Sequence, residues 1–362
     1  MSQQRPVVVI EDDPFTRVAQ LVLDPTTDPA RRAAFADFLA HDEPDFDGWC
    51  TRLRARAGGL APAEVRMVTS QDELRTNIAD CRVLIVESLH VGRDDLAAAQ
   101  ELKAVQKYGA LTRNIDTAAC RERGVKVLTL RRRANISCAE HAFAMMLMLS
   151  RRLDLLNGRV SAERLAAAGF PVKPFDRRHA PGGNYGRVPG LRALNESTIG
   201  IIGLGEIGRE VALRAAAFGM RILYHQRTRA SEAEEHQYST RYVSLDDLLR
   251  ESDWIVPQVP TAAATRGLIG RDLLSRVKPD ACIVSVSNAQ VIDRAALIEA
   301  LRGGRLAGVA LDTHYEEPCR DDDELLHMDN VVLTPRMGGS PRFNALKDFE
   351  DMITGLAKEV AA

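Results

Sequence analysis

Short apolar runs alternate with helical stretches along almost the whole chain, and this alternation predicts an α/β protein of two doubly wound parallel-sheet domains with an interdomain cleft. Two further observations support the reading. The stretch TIGIIGLGEIGREVALRAAAFGMRILYHQR, residues 198–227, reads as strand, glycine turn, helix and strand in one unit of about thirty residues, the Rossmann-like pattern. The chain's 362 residues suit two domains, and a hydrophobic share of 45% can supply two cores.

A strand over residues 7–10 opens the first domain. A polar, Arg- and Asp-rich segment over 24–62 elaborates it, with helical stretches at 31–39 and 46–57. Strands at 65–68 and 83–86, a helix over 96–107 and a strand at 125–128 continue the alternation. An apolar helix, SCAEHAFAMMLMLSRRL over 137–153, leads into the second domain. Gly, Pro and Arg enrichment over 169–194 predicts an irregular arm. Beyond the glycine unit, whose second strand covers 222–224, strands are expected at 254–256, 282–286 and 308–310, with helices between them. A short strand at 331–333 then precedes a C-terminal helix over 345–360.

Within the glycine unit, Ile199, Ile201 and Ile202 suit a buried parallel strand, and Gly203, Gly205 and Gly208 fit the G-x-G-x-x-G spacing that opens a helix. The first glycine permits a tight turn, the second lets backbone amides approach a pyrophosphate, and the third lets helix and strand lie close. Glu206 and Ile207 begin the helix, so the phosphates are expected on its positive end. Where an NAD site carries a carboxylate for the ribose hydroxyls, about 20 residues past the first glycine, this chain reads Gln226, Arg227, Thr228, Arg229. Two guanidinium groups favour a 2′-phosphate, so NADP(H) is the expected cofactor, with NAD(H) as the alternative.

The charge balance excludes other classes. Forty-eight basic against 50 acidic residues leave a net of −2, no basic field for nucleic acid and no polybasic membrane patch, and 5% aromatic residues give no stacking platform. The start MSQQRPVVVIEDD lacks the form of a signal peptide and no apolar run approaches 18 residues, so a soluble cytoplasmic protein is expected. Cys50, Cys81, Cys120, Cys138, Cys282 and Cys319 lack CxxC spacing and read as buried thiols. The eight histidines show no metal-ligand spacing, so no metal is expected.

Five ordered motifs carry a resemblance to the D-isomer-specific 2-hydroxyacid dehydrogenases over roughly residues 80–345. KYGALTRNID (107–116) is similar to that family's substrate loop, and ANISCAEHAFAMMLMLSRR (134–152) to its interdomain helix. SLDDLLRESDWIVPQVPTAAATRGLIG (244–270) resembles its helix, strand and cofactor loop, while GVALDTHYEEP (308–318) and NVVLTPRMGGS (330–340) resemble its two C-terminal active-site motifs. The resemblance implies a dinucleotide-binding domain over 137–336 inserted into a substrate domain made of 1–136 and 337–362. It also implies a homodimer paired through the interdomain helix and arm. Asp312 matches the family residue that hydrogen-bonds the nicotinamide carboxamide, Pro260 matches the proline of the loop bordering the adenosine and ribose, Gln258 falls where relatives often have His, and Gly109, Ala110 and Leu111 match the family loop that holds the substrate carboxylate.

The family's catalytic set is an Arg, a Glu and a His, and here only Glu317 matches. Asn288 stands at the arginine's place, Arg336 at the histidine's, and Leu111 replaces a loop glycine. A guanidinium cannot act as acid or base near neutrality, and Asn288 cannot neutralise a carboxylate. An oxidoreductase acting on a small anionic hydroxy or oxo substrate is expected, with Arg336 binding the anionic group and His314 the first candidate for the proton, ahead of Tyr315 and Lys107. Redox-neutral lyase- or isomerase-type chemistry and a non-catalytic cofactor-binding relative stay open beside it. Glu317 can alternatively pair with Arg336, which would hold it ionised. Arg131, Arg132 and Arg133 form a basic run that either faces a substrate or is solvated surface.

Overall fold

The computed structural model describes residues 5–260 and 262–361. The chain folds as two compact units, Met1–Asn135 with Ser340–Ala362, and Ile136–Gly339. In the first, β1 (Val7–Glu11), β2 (Glu64–Val68), β3 (Val83–Val86), β4 (Ala104–Lys107) and β5 (Lys126–Leu128) form a parallel sheet in the order β2-β1-β3-β4-β5. Apolar residues line both faces of these strands, as burial under helices on two sides requires. Val8 and Ile10 of β1 enter one core, Val7 and Val9 the other.

The second unit holds β6 (Thr198–Ile202), β7 (Arg221–His225), β8 (Thr240–Tyr242), β9 (Trp254–Pro257), β10 (Cys282–Ser285), β11 (Gly308–Leu311) and β12 (Val331–Leu333). They make a parallel sheet ordered β12-β11-β10-β9-β6-β7-β8. Ile199, Ile201, Trp254 and Val256 face one core and Ile202 and Ile255 the other. Two doubly wound parallel α/β units are therefore present. Among the described residues no helix is long and apolar enough to cross a membrane.

Two expectations are corrected. The helix expected over 96–107 is a short helix, Arg93–Ala98, followed by β4. The polar ends of AVQK hide this strand: Gln106 and Lys107 are 1% and 5% exposed, and Gln106 Nε2 meets its hydrogen-bonding need at Lys107 O, 2.8 Å away. The segment over 24–62 carries the two expected helices within the first unit. Its helices Pro29–Leu39 and Phe46–Arg56, capped by the Asp28 and Asp45 carboxylates, place Phe46, Trp49, Cys50 and Leu53 in the first unit's core. Finally, Cys138 and Cys319 are half-buried where all six thiols were expected inside.

The long helix Phe343–Ala361 completes the first unit. Leu346, Phe349, Met352, Ile353 and Leu356 enter its core, Phe349 stacks on Tyr108 at 5.4 Å, and Trp49 Nε1 donates to Glu350 Oε1 at 2.9 Å. Phe349→Ala removes a fully buried ring and should lower the stability of this unit by about 3–5 kcal/mol. Trp49 lies in the first unit and Trp254 in the second. Denaturation followed by Trp49 fluorescence in a Trp254→Phe background isolates the effect; an unchanged midpoint would show that this helix does not carry the core.

Candidate active site

The chain reverses its direction of sheet growth between β6 and β9, and the carboxyl ends of strands at such a switch point are where open α/β sheets bind ligands. Gly203 follows β6 with φ +101°. A Cβ there would lie 2.5 Å from Gln258 O after β9, so a side chain is barred twice, by conformation and by contact. At Gly208 a Cβ would meet Gly203 O at 2.2 Å, which shows how closely the helix Glu206–Ala217 lies on the turn. Around Gly205 the situation is opposite: a Cβ would meet nothing within 4 Å. Gly205 is the N-cap and supplies no side-chain cap, so the positive helix end opens onto a space bounded by bare α-carbon. That space suits a diphosphate.

The neighbouring residues fit the rest of a dinucleotide. Gln226, at the end of β7, accepts from Leu204 N at 3.2 Å through Oε1 and donates to Thr228 O at 2.7 Å. Arg227 and Thr228 are exposed. Arg227 makes no hydrogen bond or ion pair among the described residues. Arg229 is committed elsewhere, holding both carboxylate oxygens of Glu235 at 2.7 Å and driving that carboxyl down to about 2. Of the two expected cations, then, only Arg227 is uncommitted. Gln258 Nε2 is buried without an acceptor, an orphaned donor beside the glycine turn that a bound cofactor would satisfy. Pro260 is exposed, and its carbonyl accepts from Thr265 Oγ1 at 2.7 Å.

In the first unit the equivalent reversal, between β1 and β3, is filled by protein. The Glu11 carboxylate, 7% exposed, accepts from Glu87 N at 2.6 Å, Ser88 N at 2.8 Å and Leu89 N at 2.9 Å. Lys107 Nζ and Asn114 Nδ2 bond to carbonyls of the same loop. Lys107 is thereby a structural donor. Gly109 has φ +151°, with Ala110 exposed and Leu111 half-buried. The basic run is also structural at one end: Arg133 pairs with Asp348 at 2.7 Å and Asp351 at 2.8 Å, and Arg132 lies over the Tyr108 ring at 5.2 Å.

Asp312, just past β11, is the hub of the second unit's polar residues. Oδ1 receives Thr334 Oγ1 at 2.7 Å and Met337 N at 2.8 Å and faces His141 Nε2 at 3.2 Å, while Oδ2 receives Gly338 N at 2.8 Å. Burial pushes the carboxyl up, yet the bonds from His141, Thr334 and the two amides outweigh it and hold it below the ordinary value. Asp312 fixes the loop after β12. His141, on the helix Arg133–Arg151, was not singled out in the sequence; its only signal was the AEH within the helix motif.

Held at 337 and 338, the loop places Arg336 at φ +52°, a left-handed conformation costing roughly 1–3 kcal/mol in a residue with a side chain. Its guanidinium pairs with Glu317. Glu317 also accepts from His314 N at 3.0 Å. Burial raises this carboxyl, but the His314 amide and Arg336 together keep it below its usual range, so it is ionised near neutrality. His314 Nε2 bonds to Thr334 O at 2.9 Å; a carbonyl only accepts, so Nε2 carries the proton and a neutral ring has its lone pair on Nδ1. Asn288 caps the turn Ala289–Val291, its Oδ1 accepting from Gln290 N at 3.0 Å. Tyr315 donates to Ile292 O at 3.0 Å, and burial raises its hydroxyl's pKa. The second unit thus brings together Asp312, His314, Glu317 and Arg336.

A glycine turn at the switch point, a ribose-reading position at the end of the next strand and an orphaned donor beside them define a dinucleotide-binding α/β protein. Residues 143–338 match the family described as D-isomer specific 2-hydroxyacid dehydrogenase, NAD binding domain. D-3-phosphoglycerate dehydrogenase of Archaeoglobus fulgidus is 33% identical over 288 residues, 79% of this chain and 51% of that protein. Glyoxylate reductase of Pyrococcus furiosus is 33% identical over 284 residues, 78% of this chain and 80% of its own. Among solved structures, holo D-mandelate dehydrogenase of Rhodotorula graminis is 26% identical with a TM-score of 0.55, covering 98% of this chain and 93% of its own. The chain belongs to the D-isomer-specific 2-hydroxyacid dehydrogenase family. It spans about half the length of the phosphoglycerate dehydrogenases it matches.

Asp312→Asn leaves buried donors facing an amide and should cost the second unit about 3 kcal/mol at neutral pH. Because the native carboxyl lies below its unfolded value, the stability it adds is complete above about pH 4 and is lost as pH falls through the native pKa. Melting curves of both proteins from neutral to acid pH should therefore converge in acid. A gap that does not depend on pH would refute this assignment.

Proposed function

We propose that this chain is an NADP(H)-preferring oxidoreductase that interconverts a small anionic hydroxy acid and its oxo form with a rearranged catalytic set. The observation that carries the proposal is the open Gly205 space at the switch point, with Gln226 and Arg227, which has no partner among the described residues, where a carboxylate would select NAD. Amides at 205–208 would hold the diphosphate, Arg227 the 2′-phosphate, and Gln258 Nε2 would donate to the bound cofactor. When bound, the nicotinamide supplies or accepts the hydride.

The chain's own residues supply the rest. A guanidinium is a permanent cation with five donors, and Glu317 takes only Arg336 Nη1 among the described residues. Its other donors are left for a substrate carboxylate or oxo oxygen. Glu317 is ionised by that pair and cannot donate a proton. The proton falls to His314 Nδ1, because Nε2 is fixed on Thr334 O. A second reading has a specific basis in the same geometry: with Glu317 neutralised by Arg336, the chain would bind cofactor without turnover.

Fluorescence titration should show tighter binding of NADPH than NADH. Arg227→Ala should weaken NADPH about tenfold or more, the loss of a charge-assisted contact, while NADH is unmoved; equal effects on both would overturn the cofactor preference. With 2-oxo acids and NADPH, His314→Gln should lower kcat by about 10²–10⁴-fold with little change in KM. Unchanged turnover would remove His314, and absence of turnover in the parent protein with intact binding would favour the second reading.

A further inference from the structure

A cavity of about 510 Å³ lies in the first unit at the amino end of its sheet, where Pro6 leads into β1 and Arg82 into β3. It is on the opposite edge from the strand ends that lead to Lys107 and Gly109. Its charged lining is Arg5 and Arg82, and no carboxylate lines it among the described residues. Arg82 spends one donor, Nη2, on Val360 O at 3.0 Å, which satisfies the carbonyl end of the helix Phe343–Ala361. That capping role needs one N–H of five. Nε is buried without an acceptor, and Nη1 meets none among the described residues. Arg5 is exposed and has no partner among the described residues.

Gly58 and Gly59 make part of the wall, and a Cβ on either would meet nothing within 4 Å. Backbone therefore faces the cavity directly. Two guanidinium groups line one cavity with no counter-charge among its described lining residues, and a buried charged donor without an acceptor is costly. A chain that only needed to close its helix would not meet that cost with an apolar side chain at 82. We propose that this cavity binds a small, multiply charged oxyanion, a phosphate ester or a polycarboxylate, held by Arg82 and Arg5. The volume falls within the range of small-ligand sites and exceeds what a lone chloride would fill. Guanidinium forks match the paired oxygens that phosphate and carboxylate present.

Calorimetric titration of the full chain with inorganic phosphate and, separately, citrate tests this, with NADPH present to occupy the dinucleotide site and NaCl held constant. Saturable binding of at least one anion is expected, and the stronger of the two identifies the oxyanion type. Arg82→Gln should weaken it about tenfold or more while NADPH affinity is unchanged. Gly59→Leu, which fills the cavity at an α-carbon with open space around it, should abolish binding and keeps the test decisive should Arg82→Gln not fold. No saturable binding of either anion, or binding unaltered in both variants, overturns the proposal. A chain that fails to bind NADPH yet loses phosphate on Arg82→Gln would sink the cofactor reading alone.

Discussion

The close approach of one helix to one strand is the constraint on which the second unit depends. At Gly208 the helix Glu206–Ala217 lies so near the turn that a Cβ would fall 2.2 Å from Gly203 O, and Gly203 itself lies against Gln258 O. Two missing side chains thus let the helix start directly at the sheet edge, with its amide end at the reversal between β6 and β9. Any larger residue at 203 or 208 would push the helix outward and carry its positive end away from the crevice. Gly205 is different in kind. Nothing in the fold needs it to be glycine, since open space surrounds its α-carbon. A residue that is free of folding constraint and still bare is best explained by what approaches it from outside.

A second constraint organises the chemistry. Asp312 takes hydrogen bonds from a threonine hydroxyl and two amides and faces a histidine on the helix Arg133–Arg151. Such a carboxylate is held ionised by its donors, and it holds them in turn. The loop from Thr334 to Gly338 cannot relax, so Arg336 keeps a backbone conformation it would otherwise leave. Glu317 then meets a fixed cation. The result is a pair with no net charge, and the imidazole of His314, with Nε2 held on Thr334 O, keeps a lone pair on Nδ1.

How far the sequence showed this depended on the kind of signal. Periodic apolar runs marked most of the strands, and the spacing of Gly203, Gly205 and Gly208 marked the turn. β4 was lost because Gln106 and Lys107 look exposed in a one-dimensional pattern, whereas the sheet buries both and satisfies them with backbone carbonyls. The pairing of Arg336 with Glu317 was an alternative the residue types allowed. Arg229 read as a phosphate ligand because a sequence cannot show that Glu235, six positions on, has already taken its fork. His141 and Asp312 sit 171 positions apart by their numbers, and only the fold brings them to 3.2 Å. Residue types show which pairings are possible; only the fold shows which partner each charged side chain takes.

The two sheets make a controlled comparison inside one molecule. Each is parallel, each reverses direction once, and each therefore has a crevice at the carboxyl ends of its strands. In the first unit Glu11 reaches across that point and gives its carboxylate to three amides of the loop after β3, so the donors that could have held a ligand are consumed. A negative charge there would also repel phosphate. In the second unit the corresponding strand ends in Gly203, which has no side chain to fill the gap, and the following helix points its positive end at it. One side chain at the end of the first strand, a glutamate in one case and a glycine in the other, thus assigns the nucleotide to the second unit. Topology supplies two candidate crevices, and electrostatics chooses between them.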